Sequence, residues 1–178
     1  RTGARKILGG DIDVRLSHRQ ASQEQLAWMR ARGKVSGIAQ MRSLARKDDA
    51  HTLIEIKAVD DAYPLFGDLR LSGGVTLDKA FEKRNGVWGA AVDEPLLLKL
   101  DVKVGDSIRV GDIDIRIVAT IEREPDRAAS AFTIGQRLLI GFEALNESGL
   151  VQPGSLIRYH YRIGLADSGA VESWREEF

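Results

Sequence analysis

The segment from Leu96 to Arg123 constrains the fold most, because an apolar run leads through two Gly-Asp pairs into alternating apolar and polar residues. The apolar residues fall on even positions at first (Val102, Val104, Ile108, Val110) and on odd positions afterwards (Ile113, Ile115, Ile117). The phase changes at Gly111-Asp112, as it does at a turn between two half-buried strands. Glycine supplies positive φ and aspartate supplies local hydrogen bonds in such turns. The pattern predicts a β-hairpin with one face against a core.

The first third of the chain predicts a β-α-β-β unit. Alternation in Asp11–Leu16 indicates a strand. Ser22 and Gln25 form a capping-box pattern that opens a helix to about Arg32, ended by Gly33, with Leu26, Met29 and Trp28 on its apolar side. Val35–Arg46 and Thr52–Val59 then predict a hairpin closed by the turn 47–50.

Shorter elements follow, separated by Gly, Asp and Pro. The predicted elements are a short helix around Leu77–Phe81, a strand at Val87–Val92, a helix with Asp93 as N-cap and Pro95 at its first turn, a strand at Arg137–Ile140, a helical turn at Phe142–Glu147, and a strand at Leu156–Ile163. On the last strand Ile157, Tyr159, Tyr161 and Ile163 share one face. Val171, Trp174 and Phe178 mark an amphipathic helix over Ala170–Phe178.

This order predicts an α+β fold with a discontinuous outer unit, residues 1–66 and 155–178, and an inserted β-rich unit, residues 67–154. The helix pattern still runs at Phe178 and the chain begins at Arg1 without Met. We therefore expect a parent protein that is longer at both ends.

Composition narrows the function classes. Lys plus Arg number 26, Asp plus Glu also number 26, and the two signs are interspersed, which argues against a nucleic-acid surface. The absence of cysteine removes disulfides, thiol nucleophiles and thiolate metal sites. No apolar run approaches the roughly 20 residues of a membrane helix. The basic first twenty residues fit either a membrane-facing role or a strand edge protected by charge.

Ser107 is the one candidate nucleophile. Gly105-Asp106-Ser107-Ile108 matches the block that carries the serine of one class of lipid esterases. In that class the block closes a strand early in the chain, and an Asp-x-x-His block lies near the end. Here the block lies between two predicted strands and no Asp-x-x-His occurs, so turn chemistry explains it better.

The sequence contains little evidence for a metal site, an acid–base catalytic pair or a nucleotide-binding loop. His18, His51 and His160 are scattered without metal-ligand spacing. Acidic pairs occur at Asp48-Asp49, Asp60-Asp61 and Glu176-Glu177; the first fits a hairpin tip and the last a solvated helix face, and a catalytic dyad would need a convergent partner. Gly33-Lys34 and Gly73-Gly74 lack the rest of any nucleotide-binding loop. We predict no catalytic, cofactor-binding or metal-binding residues.

Several motifs together resemble the periplasmic domain of MacB-like and FtsX-like ABC transporter permeases. They are Leu8-Gly9-Gly10-Asp11 leading into a strand, the β-α-β-β unit, Val87-Trp88-Gly89 through Glu94-Pro95 and Leu96-Leu97, and the hairpin that contains Lys103-Val104-Gly105-Asp106-Ser107. The resemblance spans nearly the whole chain. Within the group it is strongest to large predicted permeases with two periplasmic domains, often found beside a lysophospholipase-type esterase.

The resemblance implies a porter-like outer subdomain (1–66 and 155–178, truncated beyond Phe178) and a sabre-like insert (67–154). It implies a position on the periplasmic face of the bacterial inner membrane and no chemistry of its own. The domain would relay the ATP-driven motion of a cytoplasmic ABC ATPase, through the membrane part, to hydrophobic or lipid-linked cargo or to partner proteins such as a periplasmic esterase. Gly67, Pro153 and Gly154 would act as hinges. The fragment alone would be a monomer or weak dimer.

Two alternatives remain open at the level of sequence. One is a free-standing hydrolase that uses Ser107 or a histidine. The other is a plain adaptor module that binds another protein. Apolar segments of about 20 residues flanking this region in the parent would favour the permease.

Overall fold

The structure is a computed structural model that describes residues 3–8, 11–64, 68–125 and 135–164. Gly67 and the helix predicted at Ala170–Phe178 lie outside these residues. The strands are β1 Gly3–Leu8, β2 Asp11–Ser17, β3 Lys34–Lys47, β4 Ala50–Val59, β5 Arg70–Leu71, β6 Trp88–Val92, β7 Ser107–Val110, β8 Ile113–Arg123, β9 Gln136–Gly141 and β10 Ile157–Gly164. The helices are α1 Gln23–Arg30, α2 Leu77–Ala80, α3 Glu94–Leu100 and α4 Phe142–Glu147, with a 3-10 turn at Ser72–Gly74.

Part of the sheet closes on itself. The order β3-β4-β9-β6-β8-β7 is hydrogen-bonded at every step, and β7 returns to β3 through the pairs Ala45↔Val110 and Arg46↔Arg109. The steps β4–β9 and β6–β8 are parallel, while the others are antiparallel. The ring is therefore a small barrel, which removes exposed strand edges.

The remaining strands extend the sheet away from this ring. β10 pairs with β3 over Lys34–Met41, β2 pairs with β10, and β1 pairs with β2, all antiparallel. β5 adds two residues beside β8. The first half of β3 thus pairs with β10 in the extension, and its end pairs with β7 in the barrel.

One hydrophobic core fills the barrel and continues under the extension. Alternate residues of the ring strands are fully buried, among them Ile54, Ile56, Ile115, Ile117, Leu138 and Ile140. Leu96 and Leu100 of α3 belong to the same cluster, as do Tyr159 and Ile163 of β10. Each such aliphatic side chain contributes about 1.5–3 kcal/mol through burial.

A second, smaller core lies on the opposite face of the sheet. Its buried members are Val59, Tyr63, Leu71, Ala80, Ala91, Ala119 and Leu139. α2 reaches this face at Gly89, where an added Cβ would collide with the carbonyl oxygen of Ala80. Close helix–strand packing therefore requires glycine at that position.

Several sequence predictions are confirmed. The α+β class, the β3–β4 hairpin and α4 at Phe142–Glu147 occur as predicted. Ser22 and Gln25 form both bonds of the capping box. Tyr159, Tyr161 and their neighbours on alternate positions of β10 are buried. Gly111-Asp112 connects β7 to β8, with Gly111 at a φ of 58°.

Other predictions are corrected. Val102 and Val104 precede β7, because Gly105 and Asp106 make a turn in which Asp106 bonds to Lys103. Asp93 occupies the N-cap position of α3 as predicted, but its carboxylate makes no capping hydrogen bond and instead accepts from Arg137 N of β9 at 2.8 Å. The division into 1–66 with 155–178 and 67–154 stays a prediction.

Candidate functional site

The candidate residues for catalysis lie on separate elements. Ser107 begins β7 and pairs with Arg116 of β8. His51 lies on β4, which β3 separates from β7. His160 lies on β10, and His18, which follows β2, donates through Nδ1 to the Ser155 carbonyl at 3.1 Å. The strand order thus distributes these side chains over the barrel and its extension.

The acidic pairs also have structural positions. Asp48 and Asp49 form the β3–β4 turn, with Asp48 at a φ of 52°. The Asp60 carboxylate accepts from Gly37 N at 2.6 Å and from Ser36 Oγ and Ala62 N at 3.1 Å each. Glu176-Glu177 lies outside the described residues. Among the residues that the structure does describe, no group of three His, Cys, Asp or Glu side chains is placed to hold a metal ion.

A buried ionic cluster joins β4, β9 and the residue that follows β8. Glu124, whose side chain is fully buried, accepts from Lys57 Nζ at 2.9 Å and lies 3.1 Å from Arg137 Nε. Lys57 also donates to the Tyr63 hydroxyl at 2.8 Å. Buried charges persist only when paired and hydrogen-bonded. The cluster therefore joins three chain segments through buried ion pairs.

Sequence analysis missed this cluster, although a signal was present. Lys57 interrupts the apolar run at the end of β4, and Arg137 opens the apolar run of β9. A lone charged residue inside a strand that is buried on both faces needs a buried partner. Glu124 could not be assigned as that partner, because 67 residues separate it from Lys57.

A groove of about 520 Å³ lies between the segment after β4, α2 and the start of α4, and we refer to it as the α2–α4 groove. Its apolar lining is Val59, Tyr63, Leu77, Phe81, Trp88 and Phe142. Five carboxylates also line it, from Asp60, Asp61, Asp78, Glu82 and Glu143, together with the small residues Gly141 and Ala144. No Lys, Arg or His is among these described lining residues.

Trp88 is held in place at the rim of the groove. Its Nε1 donates to Glu147 at 2.6 Å, and Lys83 Nζ contacts the same carboxylate at 3.3 Å. The hydrogen bond from Trp88 is the main cause that lowers the pKa of Glu147, and the contact and charge of Lys83 act in the same direction. Lys83 also lies 5.0 Å from the centre of the indole ring. The indole orientation is thus set before any ligand arrives.

The predicted hinge at Pro153-Gly154 is a hydrogen-bonded turn. Ser155 N donates to the Gln152 carbonyl at 2.9 Å, and Gly154 has a φ of 88°. Proline followed by glycine at positive φ is the pattern of a type II turn. The Ser155 hydroxyl donates to Leu150 O at 3.0 Å and accepts from Gln152 N at 2.8 Å.

Among the described residues, no helix is both long and apolar enough to cross a membrane. No protein-family model matches the sequence. The chain is 32% identical over 163 residues to an uncharacterized ABC transporter permease, YbbP, of Escherichia coli strain K12. The match covers 90% of this chain but 19% of that permease.

Solved structures share the fold. The extracellular domain of the noncanonic ABC-type transporter YknZ from Gram-positive bacteria matches with a TM-score of 0.61 at 13% identity, over 86% of this chain and 77% of that one. The periplasmic region of MacB from Actinobacillus actinomycetemcomitans matches with a TM-score of 0.53 at 11% identity, over 83% and 66%. The chain is therefore similar in sequence to one part of an ABC transporter permease, and it shares the fold of the extracellular domain of YknZ and the periplasmic region of MacB.

Proposed function

We propose that this domain relays ATP-driven conformational change from a cytoplasmic ABC ATPase to hydrophobic or lipid-linked cargo, or to partner proteins, in the periplasm. It performs no covalent chemistry of its own. The similarity to an ABC transporter permease over 90% of the chain is the observation that carries this proposal. The closed barrel and the buried ionic cluster support it, because a packed body transmits displacement with little loss.

The relay, in this proposal, uses two parts, residues 1–66 with 155–178 and residues 67–154. Pro153 and Gly154 absorb rotation between them. The space around Gly154 supports this role, since an added Cβ would meet nothing within 4 Å. The β4–β9 ladder of six residue pairs, the β3–β7 pairs and the Lys57–Glu124 ion pair all join the two parts, so any rotation must also bend the barrel at the β3–β4 hairpin.

Spin labels in the full permease, assembled with its ATPase, test this relay. Labels can be placed on Glu24→Cys in α1 and Lys99→Cys in α3, both exposed, once any cysteines outside this chain are replaced, because the chain itself contains none. We expect the distance distribution between them to differ between the ATP-bound and ADP-bound states. An unchanged distribution would rule out rotation between the two parts.

Proline variants make the test specific to the hinge. Gly154→Pro forces φ to about −65° where it is now positive, and should reduce the nucleotide-dependent change. Gly86→Pro is the matched control, because Gly86 also has a positive φ of 78° with open space around it. Membrane insertion of both variants should match that of the parent permease. If both variants reduce the nucleotide-dependent change equally, Gly154 is not the hinge.

A further inference from the structure

The α2–α4 groove combines an apolar floor with an acidic rim. Val59 and Tyr63 are 2% and 7% exposed at its base, while Phe81 and Phe142 are half-buried along its sides. A volume of about 520 Å³ falls within the range of sites that enclose a ligand or a few side chains of a peptide. The groove can therefore bury apolar side chains of a bound partner.

Three carboxylates on the rim form no ion pair within the described part of the chain. Asp60 is occupied by its hydrogen bonds to Ser36 and Gly37, and Glu82 lies 3.1 Å from Arg84. Asp61, Asp78 and Glu143, by contrast, are exposed and form no ion pair with any residue that the structure describes. Uncompensated charges of one sign around an apolar concavity attract a ligand of the opposite sign.

The two cations that follow α2 do not cancel this field. Lys83 is engaged by Glu147, which also fixes the Trp88 indole at the rim. Arg84 is engaged by Glu82. Each of these cations is matched by its own carboxylate, so the charges of Asp61, Asp78 and Glu143 remain.

We propose that the α2–α4 groove binds a cationic amphipathic segment of a partner protein. Apolar side chains of that segment enter the groove between Phe81 and Phe142, and its Lys or Arg side chains pair with Asp61, Asp78 and Glu143. The assignment of the occupant to a protein rests on the proposed function, in which partner proteins act on the periplasmic side. Charge complementarity selects a basic segment over an acidic one.

Titration calorimetry on the 178-residue chain tests this proposal with two synthetic peptides. One carries leucine and lysine at amphipathic helical spacing, and the other carries glutamate in place of every lysine. We expect saturable one-to-one binding of the lysine peptide, weakening with added salt, and no binding of the glutamate peptide. Equal binding of both peptides, or of neither, would overturn the proposal.

Charge-neutral variants locate the binding. The triple variant Asp61→Asn, Asp78→Asn and Glu143→Gln should weaken the lysine peptide about tenfold or more. The matched control neutralises three exposed acids that do not line the groove, and it should leave the affinity unchanged; its substitutions are Glu24→Gln, Glu94→Gln and Asp114→Asn. Urea unfolding confirms that both variants fold. An unchanged affinity in the groove variant would contradict the assignment.

Two further outcomes would show that the groove binds something other than a basic segment of a partner protein. Binding of a monomeric cationic detergent without binding of the lysine peptide would identify a small amphiphile as the ligand. Self-association of the chain that the groove variant abolishes would identify a second copy. Both results would overturn the proposal, and neither depends on the nucleotide-linked motion measured in the full permease, so the two proposals fail separately.

Discussion

At the scale of single residues, Glu124 forms ion pairs with two buried cations. It pairs with Lys57 and Arg137 in a site where all three side chains are at most 5% exposed. Removing its charge takes a buried anion away from both of these cations in the protein interior.

Glu124→Gln is expected to lower the free energy of unfolding by about 3–5 kcal/mol. Asp114→Asn is the control, because Asp114 pairs with Arg109 at 3.4 Å on the surface and should cost at most about 1 kcal/mol. Urea denaturation of both variants measures the difference. Similar midpoints for the two would show that the buried cluster does not contribute to stability.

Ionisation of Tyr161 affects the stability of the fold at alkaline pH. Burial raises the pKa of its hydroxyl above the usual value of 10.0, although the hydrogen bond from Ala21 N opposes the shift. A raised pKa in the folded state means that the folded chain holds the proton more tightly than the unfolded chain. The stability that the protonated Tyr161 hydroxyl contributes is thus present below pH 10.0, and it is lost as pH rises through the folded-state pKa.

Tyr161→Phe should reduce this loss of stability above pH 10.0. At neutral pH the same variant should cost about 1–3 kcal/mol, because the buried Ala21 N–H loses its acceptor. Unfolding free energies measured from neutral to alkaline pH separate the two effects. If the unfolding free energy falls equally steeply with alkaline pH in the variant and the parent, Tyr161 does not cause that loss of stability.

At the scale of elements, the turn between β7 and β8 depends on Gly111. Its φ is 58°, and an added Cβ would collide with the carbonyl oxygen of Ser148, which accepts from Asp112 N at 2.8 Å. The turn is therefore packed against the end of α4 as well as closing the hairpin. Both constraints exclude a side chain at this position.

Gly111→Ala should destabilise the fold by about 1–3 kcal/mol more than Gly86→Ala. Gly86 has a comparable φ of 78° but open space around it, so the control isolates the steric contact from the backbone strain. Thermal or urea unfolding of the two variants provides the comparison. Equal losses of unfolding free energy in the two variants would mean that α4 shifts to accommodate the added Cβ at little cost.

The local elements were predictable because their signals are local. Alternation identified β3, β4 and β10, and turn chemistry located Gly111-Asp112. Closure of the barrel was not predictable, since β7 meets β3 through only Ala45 and Arg46. The parallel step β4–β9 and the cluster around Glu124 likewise join residues far apart in sequence. No periodicity encodes such partners.

The α2–α4 groove shows the same limit for function. Asp61, Asp78 and Glu143 lie in three separate segments, each of which resembles an ordinary solvated turn or helix start. Only the packing of α2 and α4 beside β4 brings them around one apolar floor. Short motifs in the sequence indicated a resemblance to ABC transporter permeases, but no sequence pattern could indicate this surface.

At the scale of the whole molecule, the barrel and the extension share β3 and one hydrophobic core. In the proposed relay, a displacement applied to the extension reaches the barrel through packed side chains and the β3–β4 hairpin. This continuity suits a domain that conveys motion. It also means that nucleotide-driven movement should alter hydrogen bonding within the domain, where it can be detected.

Hydrogen exchange of the full permease, assembled with its ATPase and compared between the ATP-bound and ADP-bound states, tests the relay most directly. We predict that peptides from this domain change their protection between the two states, most strongly around Gln152–Ser155. The change should vanish when the ATPase cannot bind ATP. Identical exchange throughout this domain, while peptides of the ATPase itself differ between the two states, would contradict the proposed relay.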